Sequence, residues 1–282
     1  MKQILVVGFL LLGGTAFSQE LYPYSEPASN MPAHSISLKN TAVFHGDIHT
    51  ARTLQRYMPE VMFGLSKKWM LHAGVNVSNM HQQSLVWEGA RLYGKYRFYS
   101  NDEVHRHFRM AVFGAATYSR NHLDHNEINL AMGEQSGVQG GLIATQLWNK
   151  FALSATAGWN EVLDDLRSDK IYRDRYAFQA VNYSLSAGYL LLPFEYKDYN
   201  QTNVNLYVEL LGGRNINFPL EKYYVDLAPS VQAIFNSTAK LNVGYRFQLG
   251  SDIYRLTKNS FMISFEYIFL DALKKKAPSA ER

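Results

Sequence analysis

The chain has no cysteine among its 282 residues, which excludes disulfides, thiolate metal sites and a cysteine-linked lipid anchor. Beyond residue 18 it has no run of about 18 apolar residues, so membrane-spanning helices are excluded. A strong excess of one charge is lacking too, because 28 Lys and Arg oppose 24 Asp and Glu. Aromatic residues, in contrast, make up 14% of the chain. Such a content is typical of a membrane barrel with aromatic rims.

The first residues have the parts of a secretory signal peptide. Lys2 precedes an apolar run at 4–12, and the small-residue site Ala16-Phe17-Ser18 follows it. We predict a signal peptide at 1–18, cleaved after Ser18, and then a periplasmic N-terminal arm at 19–33. An exported protein is not expected to bind nucleic acid.

Apolar and polar side chains alternate through most of the chain that follows. In 106–119, for example, Phe108, Met110 and Val112 fall on one face and Arg109 and Ala111 on the other. A period of two predicts β-strands. The predicted strands lie near 34–42, 55–65, 69–78, 87–99, 106–119, 136–147, 150–159, 177–191, 202–212, 222–235, 238–249 and 259–270.

The connectors between these segments are by turns short and long. Tight turns are predicted at 66–68, 148–150 and 236–238, and longer loops at 43–54, 79–86, 120–135, 160–176, 213–221 and 250–258. Short periplasmic turns and long outer loops are typical of outer-membrane barrels, whereas a soluble β-sandwich seldom needs so many strands of ten or more residues. We therefore predict an all-β, antiparallel transmembrane β-barrel of about 12 strands at 34–270, followed by a periplasmic basic tail at 271–282.

This architecture implies a location and partners. We expect the outer membrane of a Gram-negative bacterium, contacts with outer-membrane lipid and lipopolysaccharide, and insertion by the barrel-assembly machinery. In the last two strands the apolar stripe is Leu241 to Leu249 and Phe261 to Phe269, taken at every second residue. A lipid-facing Arg or Lys costs about 2–4 kcal/mol at mid-depth, so Arg246 and Glu266 are predicted to point inward.

The same alternation predicts which polar residues line the lumen. In one interpretation their charges pair into a network that fills a narrow barrel. In the other, the excess of positive charge lines a route for anionic solutes. The predicted solute path consists of Arg91, Lys95, Arg97, Arg109, Asn203, Asn205, Glu209, Asp226, Lys240, Arg246 and Glu266, and Glu60, Ser184, Ser186 and Tyr207 share the same face.

All nine histidines lie in the first half of the chain, several of them beside Met. Imidazole together with thioether suits copper and related metals. The predicted metal ligands are loop residues that share one side of the topology, namely His45, His49, His81, His122 and His125, with Met80 as a soft neighbour. Ordinary loop polarity is the alternative, and otherwise no cofactor is expected.

A hydrolase is a further alternative, because some small outer-membrane barrels carry Ser, His and Asp at the outer rim. Ser119, His122, Asp124 and His125 cluster near the end of one predicted strand. The Gly-x-Ser-x-Gly elbow does not occur in the sequence. We expect a non-enzymatic channel or transporter-like barrel for a small solute.

Three segments carry a family resemblance. They are MFGLSKKWMLHAG at 62–74, GARLYGKYRF at 89–98 and VQGGL at 138–142. Together they resemble the outer-membrane transporter-like barrels that include the MetA-type proteins of phenol-degradation clusters. The segment YPYSEPASNMP at 22–32, after the signal ending Phe17-Ser18-Gln19, looks like a Bacteroidota branch. The resemblance implies a barrel with solute passage, and no catalytic residue can be carried over from it.

Overall fold

The computed structural model describes residues 22–46, 52–121, 125–163, 176–195 and 200–274. The predicted signal peptide and most of the predicted basic tail therefore lie outside the described residues. Twelve strands and one 3-10 helix, Leu130–Met132, make up the described chain. The strands are β1 Ser35–Gly46, β2 Thr53–Gly64, β3 Trp69–Ser78, β4 Val86–Asp102, β5 Arg106–Ser119, β6 Gly137–Trp148, β7 Phe151–Val162, β8 Gln179–Leu192, β9 Asn203–Asn215, β10 Tyr223–Phe235, β11 Ala239–Ser251 and β12 Asn259–Phe269.

Each strand pairs antiparallel with its neighbour in sequence, and β1 pairs with β12 to close the barrel. That seam runs from Ile36 opposite Phe269 to His45 opposite Ser260. Closure gives every strand two neighbours, so neither edge is left open. The prediction of an antiparallel barrel of twelve strands is confirmed. Among the described residues, no helix is long and apolar enough to cross a membrane.

The two faces of the wall differ as the alternation predicts. Along β12, Phe261, Ile263 and Phe265 are exposed, whereas Ser264 and Glu266 between and beside them are buried. Aromatic pairs lie near both ends of the outer surface, such as Trp69 with Tyr96 and Trp87 with Tyr118. An apolar belt between aromatic rims is the surface that a bilayer requires.

The connectors define two ends of the barrel. At the short end they are 65–68, 103–105, 149–150, 193–202 and 236–238, and at the loop end 47–52, 79–85, 120–136, 163–178, 216–222 and 252–258. One boundary prediction is wrong: the loop expected at 43–54 begins too early, because β1 continues to Gly46 and pairs there with β2. His45 therefore belongs to a strand and not to a loop.

The segment predicted as an arm folds into the barrel at the short end. Tyr22, Ala28, Ser29 and Met31 are buried. Three apolar clusters form around it: Tyr22 packs with wall residues of β6, β7 and β9, Ala28 with residues of β4, β5 and β6, and Met31 with residues of β2, β3 and β12. The arm thus contributes one residue to each of these three clusters, and the inner wall contributes the rest.

Candidate functional site

The lumen contains the predicted polar residues on the inward-facing side of their strands. Arg91, Lys95 and Arg97 lie on β4, Arg109 on β5, Asn203, Asn205 and Glu209 on β9, Asp226 on β10, Lys240 and Arg246 on β11, and Glu266 on β12. Asn205 Nδ2 donates to Gln232 Oε1 at 3.3 Å. Lys240 Nζ lies 3.1 Å from Glu266 Oε1, which also accepts from Ser37 Oγ at 2.8 Å. This part of the lumen matches the paired-network interpretation.

Lys95 holds the arm in place. Its side chain is fully buried, and Nζ donates to Pro27 O at 2.7 Å, Ser29 O at 2.8 Å and Glu26 Oε2 at 3.2 Å. A buried ammonium requires such partners, because an unsatisfied charge away from water is strongly destabilising. The three partners all belong to the arm.

Further bonds fix the arm to β5 and β6. Arg109 Nη1 donates to Ser29 Oγ at 2.8 Å, while its Nε and Nη2 donate to Asp102 Oδ1 at 3.1 and 2.9 Å. Ala28 N donates to Thr145 Oγ1 at 2.9 Å. Side chains of the wall thus form hydrogen bonds with the peptide backbone of the arm.

On the opposite wall, Glu209 of β9 binds the beginning of the arm. Its carboxylate is fully buried, and it accepts from Tyr24 N at 2.9 Å and from Ser186 Oγ at 3.0 Å. Ser186 Oγ also lies 2.8 Å from Ser25 Oγ. The arm therefore spans the lumen from the β4–β6 side to the β8–β9 side.

A cavity of about 280 Å³ remains in the middle of the lumen. The arm bounds it on one side and the loop around the 3-10 helix on the other. Its walls are charged: Glu60 Oε1 lies 3.0 Å from His72 Nδ1, and Arg91 Nη2 donates to Gln139 Oε1 at 3.3 Å. Arg97 is half-buried opposite Ala111, beyond the cavity toward the short end.

A second network closes the loop end. Asp226 accepts from Arg246 Nε at 2.6 Å and from Arg255 Nη1 at 2.7 Å. Arg255 also binds Glu127 through Nε at 2.9 Å and Nη2 at 2.8 Å, and its guanidinium lies 4.6 Å from the centre of the Tyr224 ring. Burial opposes ionisation of Glu127, but Arg255 outweighs it and holds the pKa of that carboxyl below its usual value. Glu127 is thus an ionised partner at neutral pH.

Beside this network, the structure brings two predicted metal ligands together with a third group. The imidazoles of His81 and His125 and the carboxylate of Glu134 offer ligand atoms within 4.8 Å of one another. Glu134 Oε2 lies 3.5 Å from His81 Nε2 and 3.8 Å from His125 Nε2. His45 is not part of the group; its Nδ1 lies 3.0 Å from Thr257 Oγ1, in the connector between β11 and β12. His49 and His122 lie outside the described residues.

Burial favours the neutral form of Glu134, yet the nearby Arg56 and, after it, His125 hold its pKa well below the usual value. Arg56 Nη1 lies 2.6 Å from Glu134 Oε1. Glu134 is therefore a carboxylate at neutral pH, with one oxygen on Arg56 and the other facing the histidines.

The serine of the alternative hydrolase cluster is buried and hydrogen-bonded to loop residues. Ser119 is fully buried, its Oγ donates to Glu134 O at 3.2 Å, and it accepts from Asn121 N at 3.1 Å. His122 and Asp124 lie outside the described residues. The geometry around Ser119 is that of a loop anchor.

Sequence reasoning missed several residues of the loop end. Glu134, Glu127 and Arg255 lie in loops, where alternation assigns no face. Glu88 lies at a register shift, because Asn76 pairs with Gly89 and Val77 with Trp87, so Glu88 is skipped by β3. A β-bulge re-aims a side chain that the period of two assigns outward. Only Arg56 could have been found from the sequence, since alternation places it on the inward face of β2 with Glu60.

The barrel is similar to solved outer-membrane proteins. The KdgM porin has a TM-score of 0.51 and 8% identity, over 83% of this chain and 99% of that chain. An outer-membrane channel from Pseudomonas putida F1 has a TM-score of 0.57 and 12% identity, over 89% of this chain and 100% of that chain. No protein-family model matches the chain, and no curated protein matches it in sequence. The chain has the fold of outer-membrane β-barrels.

Proposed function

We propose that this protein is an outer-membrane channel for a small solute, with a passage that the N-terminal arm closes from the short end. The observation that carries the proposal is the way in which the lumen is filled. Strand side chains do not fill the lumen by themselves; a separate segment, bound by Lys95, Arg109 and Glu209, completes the core. The likeness in fold to a porin and to a channel supports this reading, as does the resemblance of the sequence to MetA-type transporters.

The charges on the route favour a polar or anionic solute. With the arm in place, Glu26 neutralises the charge of Lys95, and two arm carbonyls accept its other hydrogen bonds. Once the arm leaves, that ammonium and part of the donor set of Arg109 face the passage, next to Arg91. Rings of Lys and Arg favour anions in pores. The arm thus both closes the route and covers its cationic lining.

Single-channel conductance in planar bilayers tests the proposal. The full chain should conduct weakly, and a variant lacking residues 22–30 should conduct severalfold more, with a preference for anions. Heat-modifiable gel mobility shows that both proteins are folded. A folded, inserted barrel without residues 22–30 that passes no ions and takes up no solute would refute the proposal.

A disulfide lock provides a matched test in the full chain, which has no cysteine of its own. Ser25 Oγ and Ser186 Oγ are 2.8 Å apart, so Ser25→Cys with Ser186→Cys places two sulfurs in position to bond. Oxidation should suppress the remaining conductance and reductant should restore it. The single variant Ser25→Cys is the control and should not respond. Equal conductance of the oxidised and reduced double variants would exclude the arm as the closure.

A further inference from the structure

We infer that His81, His125 and Glu134 bind a divalent metal ion of the zinc and copper class at the loop end of the barrel. His81 comes from the connector between β3 and β4, and the other two come from the connector between β5 and β6. Two imidazole nitrogens and one carboxylate oxygen form a ligand set that catalytic zinc sites use, and imidazole suits copper equally. The site would link two loops that lie on either side of the β4–β5 pairing.

The distances suit an ion at the centre of the group. Two ligands of a tetrahedral ion, each bound at about 2.0–2.1 Å, lie roughly 3.3–3.5 Å apart. Glu134 Oε2 is 3.5 Å from His81 Nε2 and 3.8 Å from His125 Nε2. The side chains of His81, His125 and Glu134 are only 12%, 4% and 8% exposed. Small shifts of the imidazoles would complete the coordination, and the partial exposure of His81 leaves an approach for the ion.

Outer contacts orient two of the three ligands. Glu88 Oε1 lies 3.1 Å from His81 Nδ1, which leaves Nε2 of the same ring directed at Glu134. A carboxylate behind a metal-binding histidine fixes its tautomer and raises its basicity. Arg56 Nη1 contacts Glu134 Oε1 at 2.6 Å and Arg56 Nη2 lies 3.5 Å from Glu88 Oε2, so one guanidinium ties both carboxylates.

The backbone next to Glu134 has a conformation that holds this residue close to β3. Gly133 has a left-handed φ of 75°, and a Cβ there would lie 1.9 Å from Asn76 Nδ2. Asn129 caps the 3-10 helix ahead of it, accepting from Met132 N at 3.3 Å. The loop is therefore pressed against β3 at a glycine, which brings Glu134 toward His81.

The charge balance also favours a cation. Glu88 and Glu134 carry two negative charges against the single positive charge of Arg56, when the imidazoles are neutral. The adjacent network is balanced, since Glu127 and Asp226 face Arg246 and Arg255. The excess negative charge thus lies on Glu88 and Glu134, beside the two imidazoles.

Calorimetry with zinc and copper chlorides on the folded full chain in detergent tests the inference. We expect one ion per chain, and a loss of affinity in His125→Ala and in Glu134→Gln that exceeds the loss in Glu88→Gln, which should be roughly 10–100-fold. The control is His107→Ala, because His107 binds Asp102 at the short end and should leave the affinity unchanged. Affinity that survives both ligand substitutions would overturn the site.

A second measurement keeps the test independent of how the variants fold. X-ray absorption of the zinc-loaded unmodified chain should show two imidazole nitrogens and a carboxylate oxygen at about 2.0–2.2 Å. Absence of binding in calorimetry, or a coordination shell with a different number of imidazoles, would leave the histidines as ordinary partners of Glu88 and Glu134.

Discussion

At the scale of single residues, two buried lysines of the lumen have different roles. Lys240 pairs with Glu266 within the wall at 3.1 Å, whereas Lys95 binds Glu26, Pro27 and Ser29 of the arm. We predict that Lys95→Met releases the arm, because the carbonyls of Pro27 and Ser29 lose their donor, at about 1–3 kcal/mol for each unsatisfied group. Conductance should rise toward that of the barrel lacking residues 22–30.

The matched control for this change is Lys240→Met, which removes a buried ammonium but leaves every bond between arm and wall in place. It should lower stability without raising conductance. Chymotrypsin cleavage after Tyr24 offers a second readout, since Tyr24 lies in the arm and is not followed by proline. Protection of the arm in Lys95→Met equal to that in the unmodified chain would contradict the role given to Lys95.

The direction of these side chains could be predicted from the sequence, and their partners could not. Alternation places Lys95 and Arg109 inside, because a period of two leaves no other face for a charge in a lipid-facing wall. Lys95, however, binds backbone carbonyls, and every residue carries one. For Glu88 even the direction could not be predicted. Alternation assigns its side chain outward, and the bulge in β4 turns it inward.

At the scale of elements, the loop between β5 and β6 depends on ionised carboxylates. The pKa values of Glu134 and Glu127 lie below the usual value in the folded chain, so their pairs with Arg56 and Arg255 contribute stability fully above the unfolded value of about 4.3. That contribution is lost as pH falls through the lower, folded pKa values. We predict that the loop stays in place from pH 7 to about 5 and detaches only below about pH 4.

Hydrogen exchange of residues 125–136 as a function of pH checks this prediction, with β12 amides as the internal reference. Exchange that accelerates only below the usual pKa of a glutamate is expected. Acceleration between pH 7 and 6 would show that groups other than these carboxylates hold the loop.

The strands themselves were predictable to within a few residues, because each needs only its own alternation. One error occurs where polar residues continue a pairing. β4 runs through Ser100, Asn101 and Asp102, which pair with Arg109, Phe108 and His107 beyond a second register shift. The arm, with Pro23, Pro27 and Pro32, looks like a solvated spacer, and its place inside the lumen follows from partners far along the chain.

At the scale of the whole molecule, the apolar belt on the outer surface determines the stability of the barrel in a lipid bilayer. Ile263 is exposed near the middle of β12, and Phe269 is exposed at its short end. We predict that Ile263→Arg destabilises the barrel in lipid vesicles by about 2–4 kcal/mol, and Phe269→Arg by about 0–1 kcal/mol, because the cost of a charge depends on depth. Urea unfolding in vesicles measures both free energies, and equal losses would contradict the placement of the belt.

The bonds of the arm also constrain the order in which the chain can be assembled. The arm precedes every strand, yet its partners lie 69, 80, 117 and 185 residues later, at Lys95, Arg109, Thr145 and Glu209. Contacts between residues so far apart in sequence form slowly, since ordering the long chain segment between them costs entropy before the contact contributes stability. The arm therefore cannot make its full set of bonds until β9 has been made and positioned. A barrel that lacks its later strands leaves this segment without part of its partners, so docking of the arm marks a completed molecule.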